Sequence, residues 1–135
     1  MIQKFIVIAL AFLGTSIIQW YGNFTGKLSS KGEYLGISYN SPIVRALVTQ
    51  FEYLWVIILA NFLFTLMFKL GMPAFKGNFL TLAVLWIGMG PIVALLFSTL
   101  ILKEKVTVFG VVGLLLILVG GVMVVAQNEI SKLLK

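Results

Sequence analysis

The chain contains no cysteine and no histidine. Without cysteine there is no disulfide and no thiolate metal site. Without histidine it lacks the commonest metal ligand and the side chain that titrates most readily near neutral pH. Nucleophilic catalysis by a Ser–His or Cys–His pair is excluded outright. The only acids are Glu33, Glu52, Glu104 and Glu129, too scattered in sequence to build a site for metal-assisted hydrolysis. No catalytic residue, metal site or cofactor is assigned, and the chain is not read as an enzyme. Charge is equally scarce, at 10% of residues.

What is abundant is apolar side chain, 61% of the sequence at a mean hydropathy of +1.11. Too little polar surface remains for a water-soluble globule of 135 residues. Four apolar runs, about 5–21, 43–70, 79–102 and 106–126, are each long enough to cross a bilayer as a helix. In lipid the backbone must satisfy its own hydrogen bonds, which selects helices over an open sheet. The expected fold is therefore all-α and integral to the membrane: a single four-helix transmembrane domain over residues 1–135, multi-pass in the cell (inner, cytoplasmic) membrane. The net charge of +6 would suggest nucleic acid in a soluble protein. Here it reads as Lys held at anionic headgroups, so membrane lipid is the expected partner and nucleic acid is not.

Lys4 followed by an apolar run containing Ala9-Leu10-Ala11 has the outline of a signal peptide. The run continues to an aromatic belt at Trp20 and Tyr21, as a retained first span would. The polar connection 22–41 is the longest, and helix one is expected to extend into it as far as about Ser29. Pro42 suits a helix start and Gly71-Met72-Pro73 a helix stop. Pro91, after Gly88 and Gly90, predicts a kink in the third helix. A short basic tail follows from Asn128. Alternating sides place Lys4, Lys69, Lys76, Lys132 and Lys135 against Lys27, Lys31, Arg45, Lys103 and Lys105. Five against five leaves almost no positive-inside signal, so insertion in both orientations is an open alternative to one dominant flank.

Within the second run Arg45 and Glu52 are seven residues apart and share a helix face. A span starting at Ile43 would bury Glu52, and an intramembrane acid is a functional candidate by default. A span starting at Tyr53, with Tyr53 and Trp55 as belt aromatics, would leave Glu52 at the interface.

The last two runs carry the most specific pattern: Trp86-Ile87-Gly88-Met89-Gly90-Pro91, then Lys103-Glu104-Lys105, then Gly110 and Gly113-Leu-Leu-Leu-Ile-Leu-Val-Gly120-Gly121. This resembles the drug/metabolite transporter superfamily (the EamA-like fold), whose repeat ends in a helix, a short charged turn and a Gly-rich final helix. Within it, the four-helix architecture is similar to the small multidrug resistance proteins. Their Trp-x-Gly-x-Gly matches Trp86, Gly88 and Gly90; the Gly-Leu-x-Leu-Ile-x-x-Gly of their fourth helix matches residues 113–120. A weaker match runs from Gly14-Thr15-Ser16 to Gly22-Asn23-Phe24-Thr25. The resemblance implies that Trp86 and Gly90 line a substrate chamber, where an aromatic face can stack on a sugar or hold a cation. The drug exporters keep a membrane-buried Glu three residues before the Gly-Thr pair, and here that position is Ala11.

In place of that acid, helix one offers Thr15, Gln19 and Asn23 at i,i+4 spacing, a neutral polar stripe suited either to a polar headgroup or to neighbouring helices. Gly113, Ile117 and Gly120 share one face of the last helix, and small residues let helices approach closely in lipid. They are the expected contact of a dimer, parallel or antiparallel, or of a heterodimer with a related four-helix subunit. The expected function is a small dimeric transporter that moves an amphiphilic substrate such as a lipid-linked sugar, because flippase subunits of the same superfamily also lack the helix-one Glu. The alternatives are a proton-coupled exporter of cationic drugs or small polar metabolites using Glu52, and a non-transporting scaffold subunit. The candidate substrate-binding set is Trp86, Gly90, Thr15, Gln19, Asn23 and Glu52.

Overall fold

A computed structural model describes residues 2–126. The chain runs α1 (Ile2–Gly26), β1 (Lys31–Tyr34), β2 (Ile37–Asn40), α2 (Pro42–Glu52), α3 (Leu54–Ala74), α4 (Phe79–Leu96) and α5 (Val108–Val125). Three helical stretches, Ile2–Gly26, Leu54–Ala74 and Phe79–Ile101, are long and apolar enough to cross a membrane, and the apolar part of α5 is slightly shorter. This is the architecture of a multi-pass helical membrane protein.

The helix ends follow local chemistry. The Asn78 side chain accepts a hydrogen bond from the Thr81 amide at 3.1 Å and caps α4. Thr107 caps α5 by accepting from the Gly110 amide at 3.2 Å. α4 runs through Pro91 without interruption; its departure from α geometry comes later, in a π-helical turn over Phe97–Ile101 that ends the expected 79–102 span. α5 begins at Val108, two residues inside the expected 106–126 span, because Val106 and Thr107 are taken up by the approach and the cap.

The expected single helix over 43–70 is instead two helices. The chain leaves helical geometry at Tyr53, which ends α2 and starts α3. The physical reason is a change in pattern. On α2, Ile43, Val44, Leu47, Val48 and Phe51 share one side while Arg45, Thr49 and Glu52 share the other. α3 is apolar nearly all round, as a membrane-crossing helix must be. Of the two, α3 alone is long and apolar enough to be the span, and α2, short and two-sided, has the character of an interfacial element.

The membrane-spanning part is all helix, as expected, and one short element is added outside it. The connection between α1 and α2 holds an antiparallel hairpin in which Lys31 faces Asn40 and Tyr34 faces Ile37. Its two-residue turn, Leu35-Gly36, has positive φ at both positions (52° and 79°). Gly36 adopts this freely, but Leu35 is an unusual occupant where Asn is normally found, so the sequence does not announce the turn. Leu35→Asn should relieve about 1 kcal/mol of this strain. The expected result is slower amide exchange across 31–40; unchanged or faster exchange would mean that the turn is not strained.

α1 packs chiefly on α3 and then on α4, so it lies between two helices that follow each other in sequence. The core is Val7 and Ala11 of α1, Met67 of α3 and Leu82 of α4, all fully buried. Close approach is made possible by glycine: a Cβ on Gly14 would come within 2.9 Å of the Phe64 ring. Gln3 Nε2 donates to the Leu70 carbonyl at 3.2 Å, and Lys4 lies over the Phe75 ring at 5.4 Å from its centroid. The start of α1 is thereby fixed beside the end of α3. At the opposite end Trp20 stacks on Phe24, which meets Tyr53 edge-on, forming an aromatic belt at the start of the α3 span. α5 packs chiefly on α4, and none of its side chains from Val108 to Val124 is buried. Lys132 and Lys135, counted in the charge balance, and the tail from Asn128 lie outside the described residues.

Candidate functional site

The orientation of α2 decides where a polar ligand can go. In water an amphipathic helix turns its apolar side inward. α2 largely does the reverse: Ile43, Leu47 and Phe51 are 74%, 57% and 68% exposed, whereas Thr49 is buried and the Arg45 side chain is only 20% exposed. Val48, which is buried, and Glu52, which is exposed, depart from the pattern. Its polar side faces the end of α1. This inversion is what lipid demands, because the outward face meets hydrocarbon and the inward face can be polar only if the protein lines it. Between α1, the hairpin approach and α2 lies a pocket of about 330 Å³. Tyr21 and Thr25 of α1, Ser30, and Arg45, Thr49 and Gln50 of α2 supply its polar wall.

Arg45 is the charged centre of this wall. One terminal nitrogen donates to the Tyr39 hydroxyl at 2.6 Å, so the hairpin holds the side chain in place. The same nitrogen is 3.9 Å from the Glu52 carboxylate, an ion-pair contact too long for a hydrogen bond. Nε is buried and has no hydrogen-bond partner. The hydrogen bond to Tyr39 holds the guanidinium above its ordinary pKa against the opposing pull of desolvation, so it stays charged at any physiological pH. Thr49 donates to the Arg45 carbonyl at 2.8 Å, and the Tyr21 hydroxyl reaches the Thr49 carbonyl at 3.5 Å. α1 and α2 are joined through polar groups on the side of α2 that lines the pocket.

The residues expected from sequence to form one site are spread along the molecule. Thr15 is 7% exposed on the face of α1 that also carries Val7, Ala11 and Gly14, and its hydroxyl has no partner. It belongs to helix packing. Gln19 is half-buried one turn on. Asn23 lines a cleft of about 360 Å³ with Lys27, Phe97 and Ile101, next to the belt. Glu52 is at the end of α2, beside Arg45 and outside the α3 span. Trp86 lies towards the opposite end, edge-on to Phe64 and Phe68 at 5.7 and 6.2 Å between centroids. Gly90 is half-buried, with no atom within 4 Å of where a Cβ would stand. Trp86 and Gly90 are not brought together with Asn23 and Glu52.

Of the expected dimer stripe, Gly113 and Ile117 line a cleft of about 410 Å³ between α4 and α5, whereas Gly120 is exposed with open space around it. Ile117 also borders a smaller apolar cleft of about 240 Å³ further along the same helix pair. The stripe therefore runs along the edge of the α4–α5 contact, half turned to its own subunit.

Sequence reasoning missed Tyr39, Thr25, Ser30, Thr49 and Gln50. The polar stripe of 42–52 was the available signal, but a stripe does not say which way it faces. Among the described residues no group of three or more acids could hold a metal ion. No family model matches the chain, and neither a curated protein nor a solved structure is significantly similar to it.

Proposed function

We propose that the protein is a small membrane transporter, acting as a dimer of four-helix subunits, that moves an amphiphilic substrate such as a lipid-linked sugar. The observation that carries this reading is the inward-turned polar face of α2. It gives a molecule with a polar head and an apolar tail a lined pocket at the interface, while the tail stays beside the exposed Leu47 and Phe51. A second observation points the same way. Among the described residues Glu33, Glu52 and Glu104 all lie outside the three long spans, so a proton-coupled exchange has no carboxylate within them. In a single subunit α5 packs chiefly on α4, and a second copy is a natural way to complete the enclosure.

The test is flux in proteoliposomes containing the full chain. A fluorescent short-chain polyprenyl-phosphate sugar should become accessible to an external quencher faster than in protein-free vesicles, with or without a pH gradient. Ethidium, a lipophilic cation, should not be taken up against a proton gradient. Gradient-driven ethidium uptake that is lost in Glu52→Gln would replace this reading with the proton-coupled exporter. No movement of either probe would favour the scaffold subunit.

A further inference from the structure

We infer that Arg45 and the polar wall around it form a binding site for a phosphate ester, with the phosphoryl oxygens on the guanidinium and the hydroxyl of Ser30. As a statement of which part of an amphiphile the pocket takes, it rests on the transport reading; as a binding site it stands alone.

The argument begins with an unbalanced charge. A guanidinium offers five N–H donors in a planar fork. On Arg45 one bond is made at full strength, to a neutral tyrosine hydroxyl, and the nearest carboxylate stands off at 3.9 Å. Nε has no acceptor. The guanidinium is drawn in to 20% side-chain exposure with donors to spare, and an anion in the pocket is the natural group to complete its shell. Glu52 could have closed a two-pronged pair but does not, and its side chain is 32% exposed.

The surroundings select the anion. The wall of the pocket contributes the Ser30 hydroxyl and the Gln50 amide, which donate to a tetrahedral oxyanion as readily as to a sugar, whereas the hydroxyls of Tyr21, Thr25 and Thr49 already donate to backbone carbonyls. No acid lines the pocket itself. Its volume of about 330 Å³ is enough for a phosphoryl group with a small substituent. Lys27 and Lys31 flank in sequence the connection between α1 and the hairpin, whose Leu28 and Ser30 line the pocket. The pocket lies beside the belt of Trp20, Phe24 and Tyr53, at the depth where phosphate headgroups lie. Tyr39 pins Arg45 in position before any ligand arrives, which reduces the ordering cost of binding.

Binding is measured with the full chain in a sugar-headed detergent that carries no phosphate, by ³¹P NMR titration with farnesyl phosphate. Saturable binding is expected. Arg45→Gln should weaken it about tenfold or more, the loss of charge-assisted hydrogen bonds to the ligand. Arg45→Lys, which keeps charge but not the fork, should fall between. Should Arg45→Gln fold poorly, Glu52→Gln provides the opposite sign: removing the carboxylate that shares the guanidinium should tighten binding by about two- to threefold.

Unchanged affinity in Arg45→Gln, or weakened affinity in Glu52→Gln, would overturn the site. So would farnesol, measured by competition, binding as well as farnesyl phosphate. Inorganic phosphate competing at similar concentration would support the oxyanion site and assign it to a free phosphate. Failure of inorganic phosphate to compete would assign it to a lipid ester. Flux separates the two readings: binding through Arg45 with no amphiphile movement removes transport and keeps the site. Undiminished movement in a folded Arg45→Gln does the reverse.

Discussion

Ala11→Glu should not turn this protein into a proton-coupled drug exporter; it should prevent stable folding. The substitution installs the acid that the resemblance to small multidrug resistance proteins leads one to seek at this position. In this chain the position faces the packed centre of the bundle. Ala11 is fully buried and clusters with Val7, Met67 and Leu82, none of which offers a polar partner. A carboxylate there costs on the order of 3 kcal/mol from its depth in the bilayer alone. Overpacking a site built for a methyl group adds about 1–3 kcal/mol. The sum is comparable with the whole stability of a small domain. Ala11→Ser is the control, because a small hydroxyl can bond back to the carbonyl one turn earlier. The measurement is the monodisperse fraction after detergent extraction, followed through a thermal series. Ala11→Ser should track the natural protein and Ala11→Glu should aggregate. If Ala11→Glu is instead monodisperse and confers gradient-dependent dye export, position 11 faces a chamber and the packing of α1 on α3 is misread.

Gly120→Leu should dissociate the proposed dimer while leaving the subunit intact. α5 has little holding it to its own chain: it packs chiefly on α4 and buries none of its side chains from Val108 to Val124. A Cβ on Gly120 would meet nothing within 4 Å, so a side chain there has room in a lone subunit. Replacing Gly in a helix interior favours the helix by about 0.8 kcal/mol. Against a second helix the same side chain prevents the close approach that small residues allow. The dimer constant should weaken by about tenfold or more, read by mass photometry in detergent, with helical content unchanged. Gly121→Leu is the comparison, since Val84 lies 3.7 Å from its Cβ position and the strain would fall inside the subunit. A dimer indifferent to Gly120→Leu would move the interface away from α5. Gly113 is a poorer probe, because it lines the cleft between α4 and α5 and reports on both contacts at once.

Much of the architecture was legible because the bilayer imposes it on composition and run length. The apolar runs marked the spans, Trp20, Tyr21 and Tyr53 marked an interface, and Gly71-Met72-Pro73 lay at the end of α3. Asn78 and Thr107 are ordinary caps just before the helices they start. The hairpin was hidden because its turn places Leu35 at positive φ, a conformation that no sequence rule assigns to leucine. The candidate set lost its unity for a related reason. Thr15, Gln19 and Asn23 share a face of α1, but that face passes from the packed core at Thr15 to the belt at Asn23. Helical spacing fixes which residues point the same way and is silent on how the environment changes along the axis.

The sequence by itself determined that the chain is a helical membrane protein, because no other arrangement satisfies the backbone of such apolar runs in lipid. It also determined that α2 is two-sided, since the spacing of Ile43, Leu47 and Phe51 against Arg45, Thr49 and Glu52 is a property of the helix alone. Only the tertiary structure decided that the polar side turns inward. That choice depends on what stands on either side of the helix: hydrocarbon without, and within, the hydroxyl-bearing end of α1 and a hairpin whose Tyr39 reaches back to Arg45. A charge pattern names the groups that need partners; which partners they find is a matter of which surfaces folding brings within about 3 Å.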